Sequence, residues 1–336
     1  ALIFLLIKGF PLDIALDLLR FYFGPLIFGL LLYKTSKTQR IYFILAFIFW
    51  CLIEVIFILI TGNPPFYLID YFSVNSEGLS LISRAQIGSD SFSLIRITGP
   101  TLNTSITGVF AAIILNLAIF DKKYLLEGIN NSKKIIRRNL FYFTIISSTI
   151  ILLFSFSGSA IFCFLLLFLW KSKNYILKFL SKLREFKISK YTLGLVMILS
   201  IILITQFWFY LKSPIASRLT FFYINLIIDN KLDYFYQYFD SINTFLFGGY
   251  FDKNNIGAYW GGDKQLISFC YTFGTIFIAP LILIAINLSK KLKIYSLILI
   301  ISSIHYGSFF FLTGQILYGY ILVSPKYKIE KNTNLI

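Results

Sequence analysis

The chain has 336 residues, of which 57% are hydrophobic, 19% aromatic and only 14% charged, and its formal net charge is +16. With a mean hydropathy of +0.78, that balance excludes an ordinary soluble globular domain and a soluble nucleic-acid binder. A single histidine excludes a multi-histidine metal site, and three cysteines inside apolar runs offer neither a disulfide framework nor a metal cluster.

Taken in order, residues 1–7 read as the remnant of a span, followed by an outer turn at Lys8–Pro11. The chain begins in an apolar run without Met, which reads as an N-terminal truncation. No basic region or small-residue cleavage site marks a signal peptide. A first complete span over 12–33 reaches the basic break Lys34, Lys37, Arg40, and a second over 41–60 stops at Thr61-Gly62-Asn63-Pro64-Pro65. The segment 61–100 holds only Arg84 and Arg96 as cations, and a third span over 101–120 leads to a basic break with Lys122, Lys123, Lys133, Lys134, Arg137 and Arg138.

Two short spans follow, 140–155 and 159–170, hinged at Ser155-Phe156-Ser157-Gly158-Ser159. Residues 171–190 interleave lysines with Ile176, Leu177, Leu180, Leu183 and Phe186, the pattern of an amphipathic helix on an anionic leaflet. A span over 191–211 opens onto the largest polar segment, 212–263. After it come spans over 264–288 and 294–312, with Lys290, Lys291 and Lys293 between them, then a short one over 314–323 and a basic tail. A bilayer core takes about 20 apolar residues per helix. The expected fold is therefore an all-α polytopic membrane protein of about nine to ten transmembrane helices.

Orientation follows from the same alternation. Basic breaks mark the cytoplasmic side, so 61–100 and 212–263 are expected outside as two larger loops, the second carrying amphipathic helices. Chemistry is expected on that outer side. Arg96 stands immediately before a span, with Gly99 and Pro100 beside it and Asn103 and Gly108 one and two turns deeper. It either pairs with lipid headgroups or uses its forked donors on the phosphates of a lipid-linked substrate. Arg218 heads the second loop, before an aromatic stripe through Phe222, Tyr234, Phe235, Tyr238 and Phe239 that reads as interfacial helices roofing a cavity.

Asp263, after Gly261-Gly262, is a helix cap or an acid at the outer mouth of the next span. His305 lies in a span near its outer end, and a serine such as Ser302 would satisfy it in a purely structural role. Glu54, Asp13 and Asp17 also fall in spans, where Asp17 and Arg20 make a local pair on one helix face. No P-loop, Rossmann glycine pattern, Asp-x-Asp motif or nucleophile elbow is present, which argues against an energy-coupled pump.

From about residue 90 onward, the order of these features resembles the O-antigen polymerase and O-antigen ligase superfamily of bacterial envelope glycosyltransferases. Arg96 followed by Gly99, Asn103 and Gly108 is similar to that family's arginine-to-glycine stretch, with one residue more between Arg96 and Gly108 than the familiar polymerase form has. Ser155–Ser159 resembles its serine-rich turn without the arginine often found there, and Arg218 matches an arginine early in its large loop. Phe247-Gly248-Gly249 resembles the closing Leu-Phe-Gly-x-Gly element with one residue missing. Asp263-Lys264-Gln265-Leu266 through Phe273-Gly274 is similar to the acidic residue before a span ending in Phe/Leu-Gly.

The resemblance implies a cofactor-free, metal-independent transfer of a glycan from a polyprenyl diphosphate donor on the outer face of the bacterial inner membrane. Arg96, Arg218 and Asn103 would bind substrate, and Asp263 or His305 would act as base. The partners it implies are polyprenyl-diphosphate-linked oligosaccharide, membrane lipids and a chain-length regulator, with no nucleic acid. Residues 212–263 lack the histidine a ligase would carry there, so a polymerase is the favoured reading. The alternatives are a ligase acting on lipid A-core and a flippase or transporter for lipid-linked sugars.

Overall fold

A computed structural model describes residues 1–32, 37–62, 86–87, 94–101, 103–126, 134–185, 232–255, 259, 264–305 and 308–323. Among these the fold is helical, apart from a two-residue antiparallel ladder in which β1 (Gln86–Ile87) pairs with β2 (Leu94–Ile95). The helices are α1 (Leu2–Ile7), α2 (Leu12–Leu32), α3 (Lys37–Thr61), α4 (Thr104–Phe120), α5 (Lys122–Leu125), α6 (Lys134–Phe154) and α7 (Gly158–Glu185). After a helix over 232–238 come α8 (Ile242–Phe247), α9 (Gln265–Phe273), α10 (Thr275–Leu288), α11 (Lys293–Ser302) and α12 (Leu312–Leu317).

Three described helical stretches are long and apolar enough to cross a bilayer: Leu12–Leu32, Gln39–Thr61 and Ile135–Phe154. Thr275–Leu288 with Lys290–Ser302, bent by 114°, adds a fourth if the pair counts as one. Their outward faces carry Leu30, Leu31, Ile53, Ile60 and Ile146, all exposed, the surface a lipid environment accepts.

Several expected boundaries move. The span read over 140–155 begins earlier, at Lys134, because Lys134, Arg137 and Arg138 are good helix formers that carry the helix into the basic break. The span over 159–170 and the amphipathic stretch after it form one helix to Glu185, with no Gly or Pro to separate them. The run over 264–288 breaks at Gly274, whose φ of +80° and ψ of +151° leave helical space. The run over 294–312 ends at Ser302. There the Ser302 Oγ donates to Leu299 O (2.6 Å) and the Ser303 Oγ accepts from Phe309 N (2.9 Å), so the serines serve the turn. The final run passes from α12 into a π-helix over Tyr318–Leu322. The span over 191–211 lies outside the described residues.

The chain divides into two compact units, Ala1–Phe43 with Phe235–Ile336 and Ile44–Tyr234. In the second, α4 is largely apolar and buried from Thr104 to Ala118, packed by α6 and α7. Gly108 lets it approach closely, since a Cβ there would stand 2.5 Å from the Ser155 Oγ and 2.6 Å from the Ala160 Cβ. In the first unit, α2 interlocks with the α12 region. Gly24 gives room to Gln315 and Gly29 to Tyr318, while Gly319 meets the Phe28 carbonyl. The expected Asp17–Arg20 pair is present on the surface at 3.7 Å.

Candidate functional site

In the second unit the sequence around Arg96 forms a clamped turn. Ile97 N donates to Phe154 O at the end of α6 (3.2 Å). The next two amides go to one carboxylate: Thr98 N to Glu54 Oε1 (2.8 Å) and Gly99 N to Glu54 Oε2 (2.7 Å). The Thr98 hydroxyl also donates to Oε1 (3.0 Å). On the far side, Thr98 O accepts from the Thr107 Oγ1 (2.6 Å) and the Thr101 Oγ1 (3.1 Å). Gly99 has a φ of +58°, and a Cβ there would stand 2.7 Å from the Thr107 Oγ1 and 3.0 Å from the Cys51 Sγ. Glycine is the residue that takes both this conformation and this proximity.

Arg96 is half-buried at the start of this turn, and Asn103 closes it. The Asn103 Oδ1 accepts from Ser105 N (2.9 Å) and Ile106 N (3.0 Å), the geometry of an N-cap for α4. The site therefore brings together Arg96, Gly99, Asn103 and Gly108, with the Ser155–Ser159 turn against Gly108. It also adds Glu54, an acid noted within a span but given no role by the sequence. A lone acid in the apolar stretch Ile41–Ile60 was the available signal.

The first unit contains a second assembly. Gly248 (φ +78°, ψ +169°) ends α8, and a Cβ on it would stand 2.5 Å from Tyr271 O. A Cβ on Gly274 would stand 2.3 Å from Leu246 O. Gly249 N donates to Tyr271 O (2.7 Å). The Phe247-Gly248-Gly249 and Phe273-Gly274 elements thus dock backbone to backbone. Over them Tyr259, Phe10, Phe251, Tyr271 and Tyr238 form a run of ring contacts, and the Lys264 Nζ lies 4.8 Å from the Tyr238 ring centroid. Burial raises the Tyr259 phenol above its ordinary value, while its oxygen accepts from Asp252 N (2.5 Å) and donates to Tyr250 O (3.0 Å).

Lys8 seals the same assembly. Only 7% exposed, its ammonium donates to Phe247 O and to Gly248 O (2.6 Å), and its own carbonyl accepts from Phe251 N (3.0 Å). Burial lowers its pKa from the usual 10.5 to about 8. Between those values Lys8 holds more of its proton in the unfolded chain than in the folded one, so its own contribution to stability rises with pH across that window. Below about 8 the full cost of burying the cation is present. The melting temperature of the purified protein relative to that of Lys8→Met should rise with pH across this window. The same pH slope in both proteins would refute the assignment.

His305 is half-buried in the turn that follows α11 rather than inside a span, and its amide donates to Ser302 O (3.2 Å). In that turn Ser303 O accepts from Leu266 N (2.9 Å) at the start of α9. The turn bearing His305 therefore holds the helix start that follows Asp263. Asp263 and Arg218 themselves lie outside the described residues. Among the described residues no set of three His, Cys, Asp or Glu side chains gathers as a metal site, and Cys51, Cys163 and Cys270 are free thiols.

In comparisons with known proteins the chain matches no family model, no curated protein and no solved structure.

Proposed function

We propose that the protein is a polysaccharide repeat-unit polymerase of the bacterial inner membrane, with about nine to ten spans and its active side facing the periplasm. It transfers a glycan from a polyprenyl diphosphate donor to a lipid-linked acceptor. One observation supports the reading: elements far apart in sequence that carry the family resemblance pack in matching pairs. Gly108 meets the Ser155–Ser159 turn, and Gly248-Gly249 meets Phe273-Gly274.

In this mechanism Arg96 and Arg218 bind the diphosphate and stabilise the charge it gains as the glycosidic bond breaks. The attacking sugar hydroxyl gives its proton to Asp263 or His305, and the diphosphate leaves without needing one. Asp263 is the preferred base, because it precedes a helix start at the mouth expected to admit the acceptor, and the contact between Leu266 and Ser303 supports a shared setting with His305.

Two experiments test the proposal. Asp263→Asn and His305→Gln are compared in a strain lacking the native gene, with membrane levels of each protein checked. The expected result is loss of surface polymer in Asp263→Asn with polymer retained in His305→Gln. The reverse pattern transfers the role to His305, and normal polymer in both excludes an essential base at either position. Orientation is tested by labelling single cysteines from outside after the three native cysteines are removed. Ser76→Cys and the exposed Asn254→Cys should react and Ser132→Cys should stay silent. The opposite pattern would overturn the topology.

A further inference from the structure

We infer that Glu54 is a positioning residue for Arg96, holding the turn that presents the guanidinium through both oxygens of a buried carboxylate. The inference deepens the proposed function and rests on its reading of Arg96 as a diphosphate ligand.

Glu54 is 1% exposed on the buried face of α3 that also carries Ile44, Phe47, Ile48, Cys51 and Val55. An acid in such a place is costly unless its lone pairs are filled. Here three donors engage them, two on Oε1 and one on Oε2, and all three belong to Thr98 and Gly99. The carboxylate is therefore dedicated to one short piece of backbone. That piece begins two residues after Arg96, and the residue between them, Ile97, is tied separately to Phe154 O. Three successive amides are thus spent on fixing the chain beside the arginine.

The chemistry of the acid matters beyond its shape. A glutamine has one acceptor oxygen, and its NH2 would point at a donor, whichever way the amide is turned. Simple anchoring of a loop to a helix needs only one such bond. Acceptance at both oxygens fixes the direction of the turn as well as its place. A bidentate cation that recognises phosphate gains most from such directional control, because misplacement by about 1 Å can cost about a hundredfold in rate.

The experiment uses the full chain purified into lipid nanodiscs, with a polyprenyl diphosphate as the probe ligand. Glu54→Gln is expected to speed hydrogen exchange at the Thr98 and Gly99 amides and to weaken probe affinity about tenfold, equivalent to one lost charge-assisted hydrogen bond. Ile113→Ala, which opens a cavity in the α4 core, serves as the comparison. It should lower the melting temperature while leaving probe affinity within about twofold. Should Glu54→Gln fail to reach the membrane, Thr98→Val removes only the hydroxyl donor and should weaken the probe about threefold. Loss of affinity in Arg96→Ala with parental affinity in Glu54→Gln or Thr98→Val overturns the positioning role alone. Parental affinity in Arg96→Ala overturns the diphosphate role of Arg96, and the inference with it. An Ile113→Ala loss as large as that of Glu54→Gln would make Glu54 structural only and would also overturn the positioning role.

Discussion

Arg96→Ala is expected to cut polymer output about a hundredfold, and Arg96→Lys at least about tenfold, in a strain that depends on this chain. Preorganised donors aimed at developing charge are typically worth about 10²–10³ in rate. Lysine keeps the charge but loses the planar fork that grips two phosphate oxygens at once, so a nominally conservative change is not conservative here. The structure sharpens the expectation, because the turn after Arg96 has its amides committed to Phe154 O and to Glu54. A shorter donor set on a fixed turn has little freedom to recover the lost bond. Arg218→Lys is expected to behave likewise. Full polymer length and amount in both lysine variants would show that the diphosphate role is wrong.

A large loss of stability is expected from Gly248→Ala and Gly274→Ala. Both residues combine positive φ with ψ near 150–170°, a region that glycine alone enters readily, and both face backbone atoms. Left-handed strain and forced overpacking each cost about 1–3 kcal/mol, so each alanine should cost about 2–6 kcal/mol. Gly9 offers a positive-φ comparison without the close contact. Its φ is +83°, yet nothing lies within 4 Å of a Cβ there, so Gly9→Ala should carry the strain alone, about 1–2 kcal/mol. Because Gly248 and Gly274 meet the same two segments, the double variant should fall short of the sum. Equal losses at Gly9, Gly248 and Gly274 in thermal or denaturant unfolding would sink the docking interpretation.

Much of the fold is legible in the chain because apolar length and basic breaks act locally. The runs over 12–33, 41–60 and 101–120 correspond closely to α2, α3 and α4, since an uninterrupted apolar run between polar stops has few other ways to satisfy its backbone. Arg96, Asn103 and the glycine elements were also visible, because a cation at a span edge and glycines beside aromatics stand out from a Phe- and Ile-rich background.

Tertiary structure alone decided what those residues touch. Glu54 and Thr98 are 44 positions apart, and no local rule couples an acid in one helix to amides in a distant turn. The breaks at Gly274 and after Ser302 were hidden for the same reason. Hydropathy dips only briefly at either break, and the chain leaves helical geometry there because a neighbouring backbone occupies the space beside Gly274 and the turn after Ser302 receives Leu266 and Phe309. Composition records what a segment can bury. Which carbonyl or carboxylate receives each freed amide depends on segments brought together only by the folded chain.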